Sequence, residues 1–217
     1  SLVTPDSERT LRTALGAAAD FTPAEIHRGD FRGCRHVHVE GYLLFNPELL
    51  LAVLEAARQQ KCTVSLDLGS FEVVETCLDI LPDILAHYVD IVFANQQEAA
   101  AFCGDPDLQT GLEALGAHCP VAAVKIGAEG AWLTDSGGTA HVPALAADNP
   151  IDTTGAGDYW AAGFLFGYLN GYSLVRAGRL GALLGSRVVE HMGASLPDSA
   201  WDRIILETTL ILMEEPT

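Results

Sequence analysis

The feature that most restricts how this chain can fold is an alternation, from residue 22 onward, of short apolar runs with longer segments of helical spacing. A helix between two strands returns the chain to the starting edge of the sheet, so this pattern predicts an α/β domain with a largely parallel sheet. Thr22 followed by Pro23 and Glu25 reads as a helix start, with a capping hydroxyl and a proline in the first turn. "RHVHVEGYL" alternates as a strand ending at Gly41, "PELLLAVLEAARQQ" has helical spacing, and "CTVSLDLG" is the next apolar run, stopped by Gly69. "VVETCLDILPDILAHY" predicts a helix that Pro82 kinks or divides, and "VDIVFAN" a buried strand ending at Asn95. "NQQEAAAFCG" and "LQTGLEALGAH" read as helices leading into the strand "PVAAVKIG".

The pattern changes at Gly127. "GAWLTDSGGTAHVPAL" reads as an antiparallel hairpin around Ser136-Gly137-Gly138, and from Gly155 the chain is almost wholly helical. No repeat, low-complexity tract or linker interrupts it, so a single domain is the simplest organisation, and 49% hydrophobic residues over 217 positions supply its core. A formal charge of −17, from 12 basic and 29 acidic residues, argues against nucleic-acid or polybasic membrane binding. Any phosphate ligand then has to be held by backbone N–H groups, a metal ion or very few cations. The five cysteines show no zinc-type spacing and read as reduced thiols of a cytoplasmic protein. No signal-peptide pattern opens the chain, and no apolar run reaches the ~18 residues of a membrane span. His36 and His38 share one face of a strand and read as paired sheet histidines.

Chemistry concentrates in "IDTTGAGDYWAAGFL", residues 151–165. Small residues from Thr153 to Gly157 leave the backbone bare, and the apolar run from Tyr159 predicts a buried helix. A helix N-terminus with exposed N–H donors attracts phosphate, and the glycines let it approach closely. A carboxylate at Asp158 beside that anion suits a base for phosphoryl transfer to a hydroxyl; the plain alternative is a helix cap after a glycine turn. The dinucleotide fingerprint and the P-loop are both excluded, because Trp160 stands where a third glycine is needed and no Gly-Lys-Ser/Thr follows.

Residues 152–165, "DTTGAGDYWAAGFL", resemble the C-terminal signature of the PfkB (ribokinase-like) carbohydrate and nucleoside kinases at every defined position. Asn95-Gln96-Gln97-Glu98 is similar to that family's N-x-x-E motif for magnesium and phosphate, although Asn95 and Glu98 also fit a helix-capping box. "VKIGAEGAWL" resembles the strand and turn that bring Gly127 and Gly130 beside the nucleotide, with Lys125 either meeting a phosphate or lying solvated at the edge. The resemblance implies a three-layer ribokinase-like fold that uses ATP and Mg2+, with Asp158 as base and the amides of Gly155, Ala156 and Gly157 as anion hole. Asp152 and Thr154 match positions that help bind a monovalent cation such as K+ in many relatives. Glu98 and Asp152 are thus the implied metal residues, and "GALLGSRVVEHMGAS" is similar to the segment beside the adenine ring.

"SERTLRTALGAAADFTP", "HVEGYLL" and "DIVFANQQEAAAFCG" look most like the adenosine-kinase-type branch, in which Arg9 matches an arginine near the active site; an exposed strand arginine is the alternative. Nothing in residues 1–217 resembles the family's opening strands and paired-glycine motif. The resemblance therefore implies an N-terminally truncated C-terminal part of one kinase domain, with residues 1–20 as a remnant of lid or edge strand. Three explanations follow: a fragment of a longer kinase, a missing half supplied by another chain or copy, or a silent PfkB-like structural or nucleotide-binding component. The intact motif favours the first. The acceptor implied is an adenosine-like nucleoside or a sugar.

Overall fold

A computed structural model describes residues 2–4, 9–10 and 13–214. By its internal contacts the chain divides into two compact units, Ala14–Lys125 with Thr134–Gly138, and Ser1–Thr13 with Ile126–Leu133 and Thr139–Thr217.

At the N-terminus β1 (Leu2–Val3) and β2 (Arg9–Thr10) pair antiparallel. The larger unit then alternates β3 (His36–Glu40), α1 (Pro47–Gln59), β4 (Thr63–Asp67), α2 (Phe71–Thr76), α3 (Leu81–Tyr88), β5 (Ile91–Asn95), α4 (Gln96–Cys103), α5 (Leu108–His118) and β6 (Val121–Lys125). β3, β4, β5 and β6 lie side by side in chain order and are all parallel. Residues 91–94 of β5 are at most 1% exposed, which explains why "VDIVFAN" is a continuous apolar run: a central parallel strand is covered on both faces.

Local signals set the element ends. Asn46 accepts the Leu49 amide at the start of α1, Asp107 accepts that of Thr110 at the start of α5, and Gly104 ends α4 in the left-handed region. Pro82 sits in the first turn of α3, so the long segment predicted across it is divided into α2 and α3. The start at Thr22 is real, with Glu25 reaching back to the Thr22 amide at 2.8 Å, but it opens a single 3-10 turn, Pro23–Glu25. Ser65, fully buried in β4, bonds both sheet histidines: its hydroxyl lies 2.8 Å from His36 Nε2 and 2.7 Å from His38 Nδ1. All five cysteines are free thiols.

The hairpin strands are β7 (Ala131–Asp135) and β8 (Gly138–Val142), and the six strands from β3 onward make one mixed sheet in chain order. The second unit's bulk is α6 (Ala156–Leu169), α7 (Leu174–Val188) and α8 (Asp198–Met213). α6 and α7 pack closely through glycines, and Trp160, Phe164 and Tyr168 stack along α6 at helical spacing. Among the described residues, no helix is long and apolar enough to cross a membrane.

Candidate functional site

In the larger unit, parallel strands bring their carboxyl ends to one edge, and three of those ends carry Asp67, Asn95 and Lys125. Asn95 is in register with Lys125, and the Lys125 ammonium reaches across β5 to Asp67 Oδ2 at 2.7 Å. Asp67 also accepts the Gly69 amide through Oδ1 at 3.1 Å, which fixes its rotamer. Glu98 lies in the first turn of α4 and is 2% exposed. Its carboxylate accepts from the Asn95 amide and from Asn95 Nδ2, both at 2.7 Å, while Asn95 Oδ1 accepts the Glu98 amide at 2.9 Å. The capping box foreseen for this pair is therefore formed. Burial pushes the Glu98 carboxyl up to about 7; the bond from Asn95 opposes that rise, the Asp67 charge adds to it, and Lys125 opposes it.

By residue type this cluster offers what a magnesium nucleotide calls for, but each oxygen of Asp67 and Glu98 already accepts a hydrogen bond, so a bound ion has to displace Lys125, Gly69 or Asn95. Mg2+ takes one or two carboxylates and completes its shell with water and substrate phosphates. Asp67 and Glu98 are such carboxylates, and Lys125 supplies a cation for phosphate. Among the described residues, no group of three or more His, Cys, Asp or Glu side chains could hold a metal. Sequence reasoning passed over Asp67. Its one local signal is an acidic residue ending an apolar strand two positions before Gly69, and its partner is 58 positions away.

In the second unit, the loop before α6 is organised by Asp152, which is 1% exposed. Its Oδ1 accepts from the amide of Thr154 at 2.9 Å and from its hydroxyl at 2.6 Å; its Oδ2 accepts the Gly193 amide at 2.7 Å. Gly155 follows at φ 79°, and a side chain there would come within 2.8 Å of Ala194 Cβ, so both conformation and space require glycine. The Ala156 amide donates to Thr153 O at 3.1 Å, and the first bond of the α6 ladder runs from Tyr159 N to Gly155 O. The amides of Gly157 and Asp158 thus precede any intrahelical acceptor. Asp158 is exposed, and its carboxylate makes no hydrogen bond or ion pair among the described residues. The simple capping alternative for Asp158 is not realised, because the residue at the N-cap is Gly155.

Gly127 and Gly130 form the turn after β6, with φ of 61° and 106°, and a side chain at Gly130 would come within 2.1 Å of Val142 O. Packing alone thus accounts for Gly130. Arg9 lies in β2, but its side chain falls outside the described residues.

A family model described as pfkB family carbohydrate kinase matches residues 1–201. The chain is 28% identical over 204 residues to adenosine kinase of Saccharomyces cerevisiae, covering 87% of this chain and 60% of that protein. It also superimposes on adenosine kinase from Sinorhizobium meliloti with a TM-score of 0.87 and 33% identity, over 94% of this chain and 64% of that one. An Escherichia coli protein assigned as a ribokinase II, solved with ATP and Mg2+, shares the fold at a TM-score of 0.75 and 18% identity, over 88% of this chain and 65% of that one. The chain thus spans somewhat under two thirds of the length of these relatives.

Proposed function

Because the chain belongs to the pfkB family of carbohydrate kinases, we propose that it transfers the γ-phosphoryl group of ATP to a hydroxyl of a nucleoside or sugar, with Asp158 as the base. The observation that carries this reading is Asp158: an exposed carboxylate without a partner, held in the first turn of an apolar helix beside glycines. Phosphoryl transfer asks little covalent chemistry of a protein; it needs an aligned hydroxyl and donors aimed at the charge that grows on the phosphoryl oxygens. Asp158 accepts the proton of the attacking hydroxyl. The amides of Gly155 and Gly157, with the N-terminal pole of α6, meet the phosphoryl charge, and Ala156 adds to them by sharing the amide that it gives to Thr153.

In the larger unit, Asp67 and Glu98 would hold Mg2+, whose charge neutralises the nucleotide phosphates, and Lys125 would contact them. ATP and Mg2+ are supported by the ribokinase II structure that contains both. A K+ site at Asp152 fits less well, because three hydrogen bonds already end on its two oxygens, so we assign Asp152 and Thr154 to holding the loop. Gly127 and Gly130 shape the turn after β6, and Arg9 stays a proposed active-site neighbour. Likeness to two adenosine kinases makes an adenosine-like nucleoside the first acceptor to try, in a cytoplasmic setting.

Asp158→Asn tests it. Nucleotide binding should survive, while ATP-dependent phosphorylation of the best acceptor falls by about a hundredfold or more, the usual worth of a positioned base. Equal turnover in the variant would remove Asp158 from the chemistry, whereas binding of ATP without transfer to any nucleoside or sugar by the wild type would leave a nucleotide-binding component.

A further inference from the structure

We propose that Arg187 is the positioning residue for the Asp152–Asp158 loop, an inference that rests on the kinase reading above for its catalytic part. Arg187 closes α7 and is 5% exposed, so its charge has to be matched by its neighbours. Nε and Nη2 donate to the two oxygens of Glu207 on α8, at 2.8 and 2.9 Å, in a fork. Nη1 donates to Glu190 Oε1 at 3.1 Å and to Ser186 Oγ at 3.3 Å.

Glu190 is the link to the loop. The same Oε1 accepts the Asp148 amide at 2.9 Å, four positions before Asp152. Arg203 of α8 closes the ring, at 3.2 Å from Glu207, 3.5 Å from Glu190 and 3.1 Å from Asp148. One step along the chain, the Ile151 amide donates to Val189 O at 2.8 Å and Gly193 donates to Asp152. Tyr159 of α6 donates its hydroxyl to Ala194 O at 3.2 Å. The 189–194 segment is therefore bonded to both ends of the loop, and Arg187 fixes where that segment leaves α7. Without Arg187, Glu190 and Glu207 would share only the half-exposed Arg203, and the carboxylate holding the Asp148 amide would be free to turn out to solvent.

The network predicts a defined pattern. In Arg187→Gln, hydrogen exchange at the Asp148, Ile151 and Gly193 amides should quicken about tenfold or more, with the β5 and β6 amides unchanged. In the ATP-dependent phosphorylation assay, kcat should fall about tenfold with little change in KM for ATP, because the loop is misaligned and not lost. Arg187→Lys, which keeps the charge but not the fork, should lie between the two. Should Arg187→Gln fail to fold, Glu190→Ala decides, since it leaves the Arg187–Glu207 fork intact and should release the same amides. Unchanged exchange at those amides overturns the positioning role. Faster exchange with unchanged kcat, where Asp158→Asn abolishes turnover, overturns its catalytic consequence. If the wild type transfers no phosphoryl group to any nucleoside or sugar, the kinase reading fails, and the exchange result still judges the link from Arg187 to the loop.

Discussion

Glu98→Gln isolates the most unusual charge of the larger unit. Folding raises the Glu98 carboxyl from 4.5 to about 7, chiefly through burial. A group raised in the folded state is bound to its proton more tightly there. Its contribution is therefore complete below pH 4.5 and is lost as pH rises through about 7. At about 1.4 kcal/mol per pH unit the whole loss is about 3 kcal/mol, and about 2 kcal/mol of it falls between roughly pH 5.5 and 8.5. Glutamine has nearly the same shape and cannot ionise, but one of its two Asn95 hydrogen bonds would be lost, a pH-independent offset of about 1 kcal/mol. The slope, and not the level, is thus the quantity to measure. Urea unfolding of both proteins at those two pH values, with chelator present, should show the variant gaining about 2 kcal/mol relative to wild type at the higher pH. Other titrating groups, including His36, which burial and His38 hold low, are common to both proteins and cancel. Parallel pH dependence, within about 0.5 kcal/mol, would mean that Glu98 is ionised throughout and would refute the argument from burial.

Two more expectations concern packing. Gly163→Ala places a methyl group 2.4 Å from Leu180 O across the α6–α7 contact, so the helices must separate. A loss of about 1–3 kcal/mol is expected, against the gain of about 1 kcal/mol that alanine brings to an exposed helix, so the sign of the Tm change decides. Ser65→Ala removes the hydroxyl shared by His36 and His38 and should destabilise the protein by about 1–3 kcal/mol in urea unfolding. A change under about 0.5 kcal/mol would show that the two histidines re-pair without it.

Helix ends and strands were legible wherever their cause is local. Pro82 divides a helix through its own ring, Gly104 ends one through its own φ, and the Asn95–Glu98 box spans a single turn. The apolar alternation that predicts an α/β chain is likewise a property of short windows. The glycine-rich stretch before α6 announced a bare helix N-terminus, and the structure supplies it, with one difference: the Ala156 amide is already turned to Thr153.

What lay beyond the sequence is what depends on which distant segments meet. Asp67 gains its place from Lys125 across an intervening strand, and Asp152 becomes a loop anchor only because Gly193 arrives 41 positions later. Arg187 reads as an ordinary charge near a helix end until Glu207 is found opposite it. The sequence by itself determined the alternation, the caps and the glycines, since each follows from the conformational preferences of a few neighbouring residues. Only the tertiary structure decided which carboxylates are buried, paired or left open, because burial and Coulomb interactions depend on distance in space and not along the chain.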